Sequence, residues 1–117
     1  MKEVVLTRQD GAVVCERCLV ADSALGRSRG LLGRSGLPSG EGLLLRPASS
    51  IHMFFMRFAI DAVFLDRDLG VRKVVSDLKP WRLASGRGSK AVLELAAGEC
   101  ERRGSRPGDR LVATPRT

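Results

Sequence analysis

Three polar side chains interrupt the most apolar stretch of this chain. In IHMFFMRFAIDAVFLD (51–66) they are His52, Arg57 and Asp61. The same stretch holds all four phenylalanines and both internal methionines of the 117 residues. Asp61 stands between Ile60 and AVFL (62–65), at the start of a segment expected to be half or fully buried. A carboxylate taken out of water must accept hydrogen bonds or face a cation. Two roles follow. Asp61 is a ligand anchor or general acid/base with a displaced pKa, or it is a structural acceptor that fixes a turn through backbone N–H groups. The structural role is the favoured reading. The cations that could pair with it are Arg34 and Arg57. Arg57 occupies a position where an apolar residue is expected. Among Phe55, Phe58 and Trp81 its guanidinium can stack on a ring or hold a carboxylate or phosphate. Alternatively it extends to solvent from a strand edge.

The remaining chemistry-bearing residues are read as structural. His52 is the only histidine, and a lone imidazole makes no zinc site without thiolate or carboxylate company. Cys15-Glu-Arg-Cys18 has the spacing of a redox or half-zinc motif. On a strand, however, an offset of three puts the two sulfurs on opposite faces. Only a bend at Glu16-Arg17 would change that. With Cys100 the cysteine count is three, which argues against a disulfide framework. Glu94, in VLEL (92–95), is expected on a solvated outer face by strand alternation. Asp109 is expected in a turn. GRSGLPSGEG (33–42) lacks the lysine and spacing of a phosphate-binding loop. No metal and no cofactor is expected.

The net charge of +7, with 16 arginines and 4 lysines, raises the question of nucleic acid. The basic residues alternate with acids and form no block longer than two, so a solvated basic surface is preferred and nucleic acid disfavoured as a partner. No apolar run approaches a membrane span. The N-terminal MKEVVLTRQDG has charges at both ends of a short apolar run. The sequence as written is therefore expected to lack a signal peptide and to stay in the cytoplasm. Oligomeric state has no signature in the sequence.

The elements that must position these groups are mostly strands. Residues 3–7 and 12–21 are β-branched runs joined through Asp10-Gly11, a hairpin signal. Asp22 is an N-cap for a helix over 23–32, and Gly33 is placed to end it. Strands are expected at 43–45, 61–65, 71–78, 91–95 and 110–114, with one helical turn in 97–103. Residues 82–90 are expected as an exposed flexible loop, and residues 115–117 as a frayed tail. Roughly seven or eight short strands with one main helix indicate a single α+β domain, mostly β. It would close as a small β-barrel or a strongly curled sheet.

Six segments in order carry a resemblance: GLLGR (30–34), GEGLLL (40–45), FFMRFAIDAVFLD (54–66), KPWR (79–82), VLELAAG (92–98) and GDRL (108–111). Over about 3–114 the chain resembles the bacterial and archaeal family known as domain of unknown function 192. The resemblance implies a compact, barrel-like, mostly β domain and no established activity. Many members of that family look exported or membrane-anchored. The family often has Met where Leu32 stands, a near-isosteric core exchange. It often has Pro where Ala59 stands, so the backbone before Asp61 is looser here.

The leading functional expectation is a non-enzymatic binding domain for a small molecule or peptide. Its apolar mouth would be lined by Met53, Phe55, Met56, Phe58 and Trp81, with polarity from Arg34, Arg57 and Asp61. An enzyme acting on a small anionic or sugar-like molecule, with Asp61 as acid or base, is the second reading. A basic nucleic-acid-binding barrel is the third.

Overall fold

The computed structural model describes residues 2–23 and 30–116. The expected helix at 23–32 falls for its greater part outside the described residues. Among them are nine strands and one helix: β1 Lys2–Arg8, β2 Val13–Ala21, β3 Glu41–Leu45, β4 Ser50–His52, β5 Ile60–Leu65, β6 Val71–Leu78, β7 Leu83–Ser85, β8 Ala91–Ala96, α1 Glu99–Arg103 and β9 Leu111–Pro115. Seven strands form one sheet in the order β6-β5-β8-β3-β2-β1-β9, and β4 pairs with β7 in a separate ladder. All partners in the large sheet are antiparallel except β2 and β3.

The sheet curls strongly without closing into a barrel. Residues from both edge strands, Val71 and Leu111, meet in one core with Val4, Leu6, Leu44, Val63 and Leu93. That face is therefore the concave one. A single bridge, Gly70 to Arg110, connects the two edges at one end. The outer face of the central strands carries a second core. There Leu43, Leu45, Ala62, Phe64 and Val92 are covered by Leu31, Met53, Met56 and the β4–β7 ladder. A sheet covered on both faces needs apolar side chains at both parities. All six residues of β5 and the first five of β8 are accordingly buried.

Two bulges set the chemistry of the concave face. Between Val4↔Cys18 and Leu6↔Cys15, β2 carries one residue more than β1. An extra residue in one strand restarts the in–out alternation. Cys15 and Cys18 therefore both enter the concave core, fully buried, and not opposite faces as plain alternation predicts. The bend lies at Glu16-Arg17. The second bulge lies in β6, between Ile60↔Leu78 and Ala62↔Val75, with Asp77 in the left-handed region at φ 53°. Its displaced N–H donates to Asp61 Oδ1 at 2.9 Å.

Asp61 Oδ2 accepts from the N–H of Cys100 at 2.9 Å. Cys100 sits in the first turn of α1, whose N-cap is Gly98 at φ 92° and offers no side-chain cap. The first N–H groups of a helix lack intrahelical partners. Asp61 supplies one from the neighbouring strand, so a single buried carboxylate joins β5, the β6 bulge and the start of α1. Glu99 pins the other side of α1. It accepts from Ser39 Oγ at 2.9 Å and Gly40 N–H at 3.1 Å, which ties the 33–42 loop to the helix.

Two further expectations are corrected. Residues 82–90 are not a free loop. Leu83–Ser85 pairs with β4, and Gly86 approaches Phe64 so closely that a Cβ there would lie 2.7 Å from the Phe64 side chain. Residues 115 and 116 are not frayed. Pro115 pairs with Val4, and the Arg116 N–H donates to the Glu3 carbonyl at 3.0 Å. No described helix is long and apolar enough to cross a membrane.

Replacing Asp61 by Asn leaves one of its two backbone N–H partners facing an amide NH2. Urea unfolding of Asp61→Asn is expected to show a loss of about 2–3 kcal/mol, the scale of a buried hydrogen bond to a charged group. The exposed Asp68→Asn should stay within about 0.5 kcal/mol of wild type. An unchanged midpoint for Asp61→Asn would contradict the joining role.

Candidate functional site

Strand β8 runs between β5 and β3 at the middle of the sheet. By alternation its outer-face side chains are Val92, Glu94 and Ala96. Glu94 lies opposite Leu43 of β3 and Ala62 of β5. The expectation of a solvated Glu94 is overturned, since the residue is only 6% exposed. Alternation separates buried from wet only when one face of the sheet is open to water. Here Leu31, residues 48–56 and β7 cover the outer face.

The covering segments leave a cleft of about 280 Å³ over Glu94. Its walls include Leu31, Leu32, Ile51, His52, Met53 and Met56. Ser49 and Ser50 add hydroxyls. Among the described residues no donor or cation is paired with the Glu94 carboxyl. Burial alone pushes its pKa up to about 7. Leu32, expected in the core, is 42% exposed and stands at this cleft.

The residues singled out from the sequence divide into three groups. Met53, fully buried, and Met56, half-buried, line the cleft as expected. Phe55 and Trp81 stand outside it as an edge-to-face pair, centroids 4.9 Å apart, and are 72% and 59% exposed. Both have left-handed backbones, φ 66° and 71°, which bulky side chains rarely adopt. Phe58 is half-buried against the outer core. His52 links the two regions. It lines the cleft, stacks on Phe54 at 4.8 Å and accepts the Phe54 N–H on Nδ1 at 3.3 Å.

The polar trio expected to work together is dispersed. Asp61 shares the parity of Val63 and Leu65, so it faces the concave core, across the sheet from the cleft. Both of its oxygens are occupied by backbone N–H groups. Arg34 pairs with Glu41 at 3.5 Å. Arg57 is exposed and forms no ion pair among the described residues. All three thiols are buried, which keeps them from reagents in solution. Cys15 is lowered by its hydrogen bond with Cys18. Burial, then the Asp61 charge, pushes Cys100 up to about 12. Cys18 is raised by its hydrogen bond with Cys15 and by burial. Among the described residues no group of His, Cys, Asp and Glu is placed to hold a metal ion.

The residue that sequence reasoning misplaced, Glu94, carried a signal. AVLELA (91–96) is apolar at both parities apart from this one acid, the mark of a strand covered on both faces.

A single curled sheet with a cradled short helix, and a cleft on its outer face over one unpaired carboxyl, defines a small, mostly β, α+β domain. The family profile of domain of unknown function 192, described as an uncharacterized ACR, matches residues 5–113, and the chain belongs to that family. It is 33% identical to a UPF0127 protein of Thermococcus sibiricus, over 92% of this chain and 73% of that protein. Two crystal structures share the fold. A Sinorhizobium meliloti protein described as "a putative transcription regulator" superposes with a TM-score of 0.84 at 25% identity, over 96% of this chain and 92% of that one. A Novosphingobium aromaticivorans protein of unknown function gives 0.78 at 26% identity, over 94% and 83%.

The pKa of Glu94 has a consequence for stability. A carboxyl with a folded pKa near 7 against an ordinary 4.5 holds its proton more tightly in the folded state. Between those values the folded protein binds more protons than the unfolded one, so stability falls as pH rises. The loss is absent below about pH 4.5 and complete above about pH 7, where it reaches about 3 kcal/mol. Glu94→Gln should therefore gain stability over wild type at about pH 8 and lose that advantage at about pH 4. Denaturant unfolding at both pH values checks this, and a pH-independent difference would contradict it.

Proposed function

We propose that this protein is a non-enzymatic binding domain whose outer cleft takes a small, largely apolar ligand. One observation carries the reading. A carboxyl with no partner among the described residues is held at the base of an apolar cleft, where a well-packed Leu or Met would serve the fold better. A group kept at a cost to stability, inside a concave apolar site, is the usual mark of a working site. Met53 and Met56 supply soft, unbranched walls that adapt to a guest. The volume suits a small molecule or a single inserted side chain.

The enzyme reading is weaker on the same geometry. An acid or base needs reach to a substrate proton. Asp61 has both oxygens engaged by backbone and faces the other core. Neither Arg34 nor Arg57 lines the Glu94 cleft to clamp an anion.

Met53 and Met56 are the only internal methionines, so their methyl resonances report on the cleft directly. Titration of ¹³C-methyl-Met protein with n-hexanol should shift both saturably. Ser50→Phe, at an exposed β4 position on the rim, should weaken that response several-fold. Shifts confined to the Trp81 indole, or no saturable shift with any small apolar molecule, would overturn the proposal.

A further inference from the structure

Resting on the cleft reading above, we infer that the ligand presents a primary ammonium on an unbranched hydrocarbon stem, the ammonium meeting Glu94 and the stem lying along Leu31, Ile51, Met53 and Met56.

The walls and the base of the cleft ask for different chemistry. The walls are hydrocarbon and thioether, with two serine hydroxyls among them. The base is a carboxyl with no donor among the described residues. An ionised carboxylate can accept about four hydrogen bonds and is acceptor-only. A hydroxyl on the guest would fill one of those sites. An ammonium carries three donors and the opposite charge, and charge-assisted bonds are roughly twice as strong as neutral ones. A carboxylate or phosphate guest would meet repulsion from Glu94, because among the described residues no arginine or lysine lines the cleft. A bulky quaternary ammonium could not donate at all.

The charged surroundings permit this choice. Among the described residues His52 is the one titratable group lining the cleft besides Glu94. On β3, Glu41 shares the outer face with Leu43, two positions along, and is paired with Arg34. On β5 the facing residue is Ala62. Lys73 of β6 lies further out, its ammonium 5.7 Å from the Phe64 ring centroid. The net charge of +7 opposes a cation only at long range, and that field is screened within about 8 Å at physiological ionic strength.

Protons compete with the ammonium for Glu94. Because this carboxyl titrates near 7, apparent affinity for the amine should fall toward about tenfold per pH unit below that value. Above it, affinity should be flat until the amine itself loses its proton.

Two sources present this chemistry: a free alkylamine and a lysine side chain in a peptide. The test compares n-hexylamine, n-hexanol, hexanoate and an acetylated, amidated Gly-Lys-Gly peptide, read by the Met53 and Met56 methyl shifts at about pH 8. Wild type should bind hexylamine at least about tenfold more tightly than hexanol, and hexanoate more weakly than either. In Glu94→Gln the preference of amine over alcohol should vanish while hexanol binding persists, which also shows that the variant is folded. Binding of the peptide as tight as that of hexylamine would assign the source to lysine; much weaker peptide binding would assign it to a free amine. Hexanol binding equal to hexylamine, or an amine preference that survives in Glu94→Gln, would overturn the ligand class and leave the cleft reading standing. If none of the four moves the methionine methyls, both fall together.

Discussion

A carboxylate removed from water must find donors or weaken the fold, and this sheet removes two of them, one on each face. On the concave face Asp61 is fully satisfied. It takes the N–H displaced by the β6 bulge and an N–H from the first turn of α1. The helix begins at a glycine that cannot cap it, and the bulge frees an amide that the β5–β6 ladder cannot use. One side chain answers both needs. On the outer face Glu94 has no such answer among the described residues. The two acids are similarly buried, and they differ in their partners.

Strand alternation explains which acid goes where. Asp61 pairs across the sheet with Leu95, and Glu94 with Ala62, so the two carboxylates sit at neighbouring positions on adjacent strands and point in opposite directions. A shift of one residue in the register of β8 would carry Glu94 to the concave face, where Asp61 already lies. The cost of burying a second carboxylate in that core resists the slip. The concave core and the outer cover are thus specified together.

Much of this could be read from the chain. The Asp-Gly hairpin, the strands after residue 60, the short helical turn and the mostly β character follow from punctuation and period. The structural role of Asp61 follows from a carboxylate embedded in AVFL. What could not be read depended on bulges and covering segments. The paired orientation of Cys15 and Cys18 results from one extra residue in β2, which leaves no composition signal. The β4–β7 ladder is made of three-residue strands, too short for a periodic pattern. Alternation does not place Glu94 correctly, because β8 is covered on both sides. Phe55 and Trp81 were assigned to the mouth of the cleft by their size, yet their left-handed backbones turn them outward.

The cleft and the aromatic pair are adjacent through His52, but they pose separate problems. One is a concave site with an unmet polar need; the other is an exposed surface. The Sinorhizobium meliloti and Novosphingobium aromaticivorans structures share this fold, and in this chain the fold accounts for Asp61, the bulges and α1. Glu94 is the feature that the scaffold does not account for.

Glu94 is a desolvated carboxyl that faces an open cleft and has no partner among the described residues. Its side-chain carboxyl carbon can be followed by ¹³C NMR through a pH titration, assigned by its loss in Glu94→Gln. The account requires a midpoint near 7 and a clear downward move when n-hexylamine is added. A midpoint in the ordinary glutamate range, unchanged by the amine, would mean that Glu94 is solvated or paired and that the cleft has no unmet polar group at its base.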